Sequence, residues 1–516
     1  MKKARFVKNA ALMTGSTLLL RSVGMLFRVW LAGRIGSEGM GLFQLVTSVY
    51  MLTATFATGG IATTVTRLIA EELEKGTPRS VSRILRRAVG LTLGVGLVSM
   101  AAVLLLADPI ARLGVGDARA AAGLRLSAIS LPFMGVTYCL RGYFIARRRL
   151  TPSLTGQLFE QGVRMAVIWL LLDAVTGKGL GAVCAVLMLG DAVAEAAACL
   201  YLWIGYRLDR RRAEAAIGAR NAPPYRVVRR LTALTLPLVG GKYLTSVLRT
   251  AESLLVPTCL AAFGGTRGEA VSQYGRFRGM AMPVLFFLSS FLTALSTLLV
   301  PELSTALGAE DKRAVSGPVA RVVGLTAAAS ALIGGVFFLF GEEVGVVFYG
   351  SVEVGGLIRR LAPLVPLMYL ESVVTGMLCG LDQQKYVFRY GVADSVMRLC
   401  AIPLVVPRWG MSGFLAVTYA SNLLTSLLCL ARLLKVAGVS FRVWAWAGRP
   451  LLATAGALTA GAAAGRLFVG TAPLPLLLVE SGAAAAVYLP LLWVMGGGRD
   501  LTRLIAARRR KKALRA

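Results

Sequence analysis

Thr14, Thr17, Arg21, Gly24 and Arg28 recur every three or four residues inside an apolar stretch near the N-terminus, so a helix places them on one face. A guanidinium is a planar fork of donors that can grip phosphate oxygens two at a time. Two of them on a stripe of small and polar residues suit a cavity that receives phosphate. The competing arrangement has Arg28 snorkelling to the membrane surface and Arg21 paired with a carboxylate on another helix. Further along, Lys242, Arg249 and Glu252 share one apolar segment and add two more cations. A cavity lined by these residues is cationic overall and favours an anionic substrate, which makes Arg21, Arg28, Lys242, Arg249 and Glu252 the substrate-binding candidates.

Carboxylates in apolar segments form the second group. Asp191 and Glu195 lie one turn apart with no basic residue nearby in sequence. Two such groups can hold a cation or share a proton, so they are candidates for coupling transport to sodium or protons. Glu160 with Arg164, and Asp394 with Arg398, stand at i, i+4 spacing, where each pair can close an ion pair within its own helix. These four are read as structural.

Several chemistries lack their residues. The chain has no histidine, so the usual acyl-transfer triad cannot form. Its seven cysteines (Cys139, Cys184, Cys199, Cys259, Cys379, Cys400 and Cys429) stand singly in apolar stretches and read as buried, inert thiols rather than a disulfide or zinc framework. No nucleotide-binding P-loop occurs, and Gly94-Val95-Gly96 lies inside an apolar span without the strand that a dinucleotide site needs. A membrane-embedded transferase using carboxylates alone is the one enzymatic reading left. The chain is read as a non-enzyme with no cofactor and no metal.

The elements that must position these residues follow from composition. Of 516 residues 56% are hydrophobic and 16% charged, with a net charge of +32 and a mean hydropathy of +0.69. A soluble chain carries about 25% charged residues, so this is an all-α integral membrane protein. Apolar runs predict about fourteen spans. They fall at 8–33, 40–70, 87–107, 121–146, 153–177, 180–206, 231–263, 271–303, 316–340, 357–381, 386–407, 410–436, 449–469 and 474–496. Met1-Lys2-Lys3-Ala4-Arg5 opens like a secretory leader, but the apolar segment after it is too long and is interrupted by Arg21 and Arg28, so it reads as a retained first span.

Basic clusters such as Arg83-Ile84-Leu85-Arg86-Arg87, Arg147-Arg148-Arg149, Arg210-Arg211-Arg212 and Arg508-Arg509-Arg510-Lys511-Lys512 fall on one side of this topology. By the positive-inside rule that side, with both termini, is cytoplasmic, in the plasma membrane. The clusters are short, lack interleaved aromatics and recur at span ends, which argues against a nucleic-acid partner. Membrane lipids are the implied surroundings, and nothing calls for more than a monomer.

At an offset of 234 residues the chain matches itself without gaps: Arg125 falls on Arg359, Ala128 on Ala362, Pro132 on Pro366, Met134 on Met368, Gly142 on Gly376, Glu160 on Asp394 and Arg164 on Arg398. Each copy holds an even number of spans. The halves are therefore parallel, and two pseudo-symmetric six-helix bundles with a cavity between them are expected, the architecture of an alternating-access transporter. The expected organisation is an N-terminal bundle at 1–206, a basic cytoplasmic linker at 207–230, a C-terminal bundle at 231–436, a helix pair at 437–497 and a basic cytoplasmic tail at 498–516.

Several segments carry a family resemblance. Arg21-x-x-Gly24-x-x-x-Arg28 and then Arg34-Ile35-Gly36-Ser37-Glu38-Gly39-Met40-Gly41-Leu42-Phe43-Gln44 resemble the opening of the stage V sporulation protein B family. So do Gly59-Gly60-Ile61 with Glu71-Glu72, Arg141-Gly142-Tyr143-Phe144 with Pro152 and Gln157, and Tyr274-Gly275 with Gly279 and Pro283. That family groups with MurJ-type lipid II flippases and polysaccharide exporters, in the MOP superfamily that also holds MATE drug antiporters. The resemblance implies export of a polyprenyl-pyrophosphate-linked sugar, lipid II or a related peptidoglycan or polysaccharide precursor, with a role in spore cortex synthesis. It implies that Arg21 and Arg28 line the central cavity, and that the last two spans help form a groove for the lipid tail. The alternative is a MATE-type drug antiporter coupled to sodium or protons through Asp191 and Glu195, against which the cationic stripe would work. A non-transporting scaffold for cell-wall assembly is a third reading, disfavoured by the repeat and the buried charges.

Overall fold

Hydrocarbon offers no water to backbone N–H and C=O groups, so an apolar chain in a bilayer satisfies them internally as helix. In the computed structural model of the protein the described residues, 2–74, 78–216, 227–293, 312–468 and 472–497, are helical almost throughout and contain no strand. The side chain of Thr14, the middle of the 207–230 linker, the end of the eighth span and the 498–516 tail with its basic run lie outside the described residues.

The first two spans share α1 (Lys2–Thr58), which turns at Gly36 with φ 70° and ψ −177°, a conformation open to glycine alone. The second span continues past Gly59-Gly60 as α2 (Ile61–Glu74). Spans three to seven are α3 (Pro78–Pro109), α4 (Ala120–Ala146), α5 (Leu150–Leu172), α6 (Leu180–Ala216) and α7 (Val227–Ala262). The eighth comprises α8 (Arg267–Tyr274), a wider π turn and α9 (Met282–Phe287). The ninth is α10 (Lys312–Leu339), followed by a short helix, α11 (Gly341–Tyr349).

The tenth span is broken at Pro363 into α12 (Val352–Leu361) and α13 (Val365–Gly380). Spans eleven and twelve share α14 (Gln384–Ala437), turned at Gly410. The last pair is α15 (Arg449–Arg466) and α16 (Pro473–Leu492).

The spans thus follow the predicted order, with the second longer than expected and α11 an element the periodicity does not announce. Among the described residues, eight helical stretches are long and apolar enough by themselves to cross a membrane, two of them each holding a pair of spans. In α5 the polar residues Gln157, Glu160, Gln161 and Arg164 lower the hydropathy. A span that carries such groups needs partners for them on neighbouring helices.

Two compact units form, one of residues 1–279 with 395–414, the other of 280–394 with 415–516. In the first, Val65, Leu85, Leu140, Phe144 and Leu202 knit α2, α3, α4 and α6 together, and Tyr50, Ala128 and Leu131 tie α1 to α4. In the second, Val319, Val323, Val373, Met377 and Leu433 join α10, α13 and α14. Small residues set the close approaches, as is usual where lipid supplies no hydrophobic drive. A Cβ on Gly96 would lie 2.7 Å from the backbone of Pro132.

The seven thiols are free. Cys139, Cys184, Cys259 and Cys429 are buried and Cys199 is half-buried, whereas Cys379 and Cys400 face outward from apolar spans rather than into a core.

Each unit contains its own copy of one ion pair. Arg125 Nη2 meets Asp108 Oδ2 at 2.5 Å in the first unit, and Arg359 Nη1 meets Glu342 Oε1 at 3.0 Å in the second. Asp108 and Glu342 are themselves 234 residues apart, so the repeat extends to an acidic partner that the original match did not include.

Candidate functional site

The first unit holds a chain of alternating charges across three helices. Arg141 of α4 donates from Nη2 to Glu160 Oε2 at 2.6 Å, and Arg164, one turn after Glu160 on α5, donates from Nη2 to Glu160 Oε1 at 2.9 Å. Arg164 also pairs through Nε with Asp191 Oδ1 of α6 at 2.5 Å. Glycines permit this. A Cβ on Gly190 would lie 2.5 Å from the Ile168 side chain, and one on Gly156 would lie 3.2 Å from Leu202, so α5 and α6 approach closely on either side of Arg164.

Glu195, one turn beyond Asp191, is 3% exposed and lies in the field of Glu160, Arg141, Arg164 and Asp191. Its Oε2 has no hydrogen-bond partner among the described residues. The guanidinium of Arg141 also lies 5.7 Å from the Tyr138 ring. Three carboxylates thus face two guanidiniums. A fully ionised cluster carries one surplus negative charge, which a proton or a monovalent cation can balance.

The helix-one stripe runs beside this cluster. Arg21 is exposed and Arg28 half-buried. Gly24 between them leaves room for Gln161: a Cβ there would lie 3.9 Å from Gln161 Nε2, while Gln161 Oε1 accepts from Arg164 Nη1 at 2.8 Å. The cationic stripe and the carboxylates therefore meet α5 at one residue.

Helix α7 packs on the second arm of α1. Tyr243 donates to the Phe56 carbonyl at 3.2 Å and Thr250 to the Ser48 carbonyl at 3.0 Å. Lys242 and Arg249 are exposed. Glu252 is half-buried and ion-paired with Arg398, so a carboxylate read as a substrate contact has a guanidinium of its own. Asp394 in the second unit accepts from Ser421 Oγ at 2.5 Å.

Sequence reasoning missed Arg141, Gln161 and Tyr50, the last lying in the field of Asp191, Glu195 and Arg164 and held by Ser130 Oγ at 2.9 Å. For Arg141 a signal existed, since it lies in the Arg141-Gly142-Tyr143-Phe144 motif. The other two belong to no pattern and are found only through the packing. The repeat does not extend to the carboxylates: at the same offset Asp191 corresponds to Thr425 and Glu195 to Cys429. In the second unit Thr425 instead donates to Glu371 at 3.0 Å.

The 34–44 motif is architectural. A Cβ on Gly41 would lie 2.1 Å from the Val271 carbonyl oxygen, and one on Gly275 would lie 2.0 Å from that of Ser37, with Ser37 Oγ and Ser272 Oγ 2.7 Å apart. Beside it, outside the spans, Arg119 Nη2 bridges Glu38 Oε1 and Asp117 Oδ2, each at 2.7 Å. Burial opposes the charge on Asp117, but the hydrogen bonds from Arg119 outweigh it and hold the carboxyl below the ordinary carboxylate range.

Known proteins share this fold and sequence pattern. Stage V sporulation protein B of Bacillus subtilis (strain 168) is 24% identical over 449 residues, covering 86% of each chain. A solved structure of lipid II flippase MurJ in an inward closed conformation superposes with a TM-score of 0.70 at 13% identity, covering 95% of this chain and 99% of that one. An inward-facing multidrug resistance MATE transporter of the MOP superfamily gives a TM-score of 0.62 at 13% identity, covering 83% and 96%. The two solved structures are of a flippase and a drug transporter, and this chain shares their fold; its apolar helices make it a multi-pass membrane protein. With residues 6–307 matching the model of the polysaccharide biosynthesis protein family, the chain belongs to that family.

Proposed function

We propose that this chain is an alternating-access flippase for a polyprenyl-pyrophosphate-linked sugar, lipid II or a related cell-envelope precursor, in the cytoplasmic membrane, working as a monomer with both termini in the cytoplasm. The observation that carries the reading is the Arg21–Gly24–Arg28 stripe lying against Gln161, which is bonded to Arg164 of the carboxylate cluster. Arg21 and Arg28, with Lys242 and Arg249, receive the pyrophosphate by charge-assisted hydrogen bonds. Asp191 and Glu195 take up the coupling proton or sodium ion. Outward movement of the anionic headgroup gains about 2.3 kcal/mol per charge per 100 mV of inside-negative potential, so no ATP is needed.

The sporulation role of the Bacillus relative makes a spore-cortex precursor the first substrate to examine. The test is rescue of a bacterium depleted of its own lipid II flippase. Wild type rescues and the Arg21→Ala, Arg28→Ala double variant does not, with both found in the membrane at equal amounts. Rescue by the double variant would refute the phosphate-binding role. A cation-coupled drug antiporter is the second reading, and the buried Glu195 carboxylate favours it. Drug resistance conferred by a well-expressed wild type that fails to rescue would select it.

A further inference from the structure

An apolar groove of about 750 Å³ opens on the first unit between the second arm of α1, α3 and α7. Its floor is α3, where Gly90, Gly94, Val98 and Leu106 face the groove, and Phe56 and Tyr243 stack beside it with ring centroids 4.5 Å apart. A Cβ at Gly90 or Gly94 would meet nothing within 4 Å. These glycines leave open space rather than allowing helices to touch.

The groove is long. From Gly90 to Ile110, both in its wall, α3 and its continuation rise ~30 Å at 1.5 Å per residue, which matches the full hydrocarbon thickness of a bilayer. An ordinary phospholipid chain reaches through one leaflet, half that depth.

The groove also has a charged end. Arg83, Arg86 and Arg87 are exposed on α3, and Arg83, Arg87, Gly90 or Leu91, Gly94 and Val98 follow one another at helical spacing along one face. A phosphate-bearing headgroup at the guanidiniums would lead its hydrocarbon directly into the groove.

The geometry points to a binding site for the isoprenoid tail of a long polyprenyl phosphate, held along α3, with Arg83 and Arg87 meeting its phosphate end on loading, before the headgroup passes to Arg21 and Arg28. The inference rests on the reading that the cargo is polyprenyl-linked, and it places the tail here rather than against α15 and α16.

The test uses the full chain in proteoliposomes with a C55 polyprenyl phosphate carrying a diazirine near its far end, and a phosphatidylglycerol diazirine as control. The polyprenyl probe labels peptides within 90–110. Gly94→Leu, whose side chain enters open space, loses that labelling. Gly482→Leu on α16, also open within 4 Å, keeps it.

Labelling confined to 449–492, undiminished labelling of Gly94→Leu, or equal labelling of the groove by phosphatidylglycerol would each overturn the site. Transport of a polyprenyl-pyrophosphate sugar is measured in the same vesicles. Active wild type without groove labelling sinks this inference alone, whereas groove labelling without transport sinks the functional reading.

Discussion

Replacing Arg164 by methionine keeps the length of the side chain and removes the charge that joins α5 to α6. Arg164 contacts Glu160 at 2.9 Å and Asp191 at 2.5 Å and is 27% exposed, against 14% and 18% for its partners. Breaking a buried pair costs about 3–5 kcal/mol and an exposed one about 1 kcal/mol or less, so this partly wet cluster loses about 3 kcal/mol. The loss does not fall evenly. Glu160 retains Arg141 at 2.6 Å, whereas Asp191 loses the guanidinium that faces it.

Adding Asp191→Asn to Arg164→Met therefore recovers much of the stability, and adding Glu160→Gln does not, because that change strips Arg141 of its partner as well. Thermal unfolding of the purified single and double variants forms two double-mutant cycles. At roughly 2 °C per kcal/mol for a large domain, Arg164→Met melts about 6 °C below wild type. Equal recovery by the two second-site changes, or recovery by Glu160→Gln alone, would refute the charge chain as drawn.

Other outcomes follow from the same geometry. Glu195→Gln leaves thermal stability within about 1 kcal/mol of wild type, since the charge it removes has an oxygen without a partner; in proteoliposomes its transport no longer varies with external pH or sodium. Gly41→Ala and Gly275→Ala each place a methyl within 2.1 Å of a carbonyl oxygen and lower stability by about 1–3 kcal/mol or more, read as reduced yield and melting temperature. Asp117 has a folded pKa below its unfolded value of about 3.9. Its contribution is therefore present above that value and fades as pH falls through the folded one, so melting from pH 7 to pH 3 shows a decline that Asp117→Asn makes shallower.

The spans were legible because apolar length is a local property, and the 234-residue match already paired Arg125 with Arg359. Its acidic counterpart, Asp108 with Glu342, lies at the same offset but seventeen residues before the first matched position. The i, i+4 pair Glu160–Arg164 forms as spacing predicts. What spacing could not supply is the partner across a helix boundary: Asp191, with no cation nearby in sequence, meets Arg164, and Glu252 meets Arg398, 146 residues away. The turns at Gly36 and Gly410 were hidden for a related reason. A glycine inside an apolar run reads as a packing residue until its φ is known, and only then does it divide one long helix into two spans.

The most direct test of the central claim is transport of a fluorescent polyprenyl-pyrophosphate sugar in proteoliposomes under an imposed inside-negative potential, comparing wild type with the Arg21→Ala, Arg28→Ala variant. Movement by the wild type that rises with the potential and is lost in a folded, equally reconstituted variant is the predicted result. Undiminished movement in the variant, or none in an active and oriented wild type, would contradict a cationic cavity built to carry phosphate.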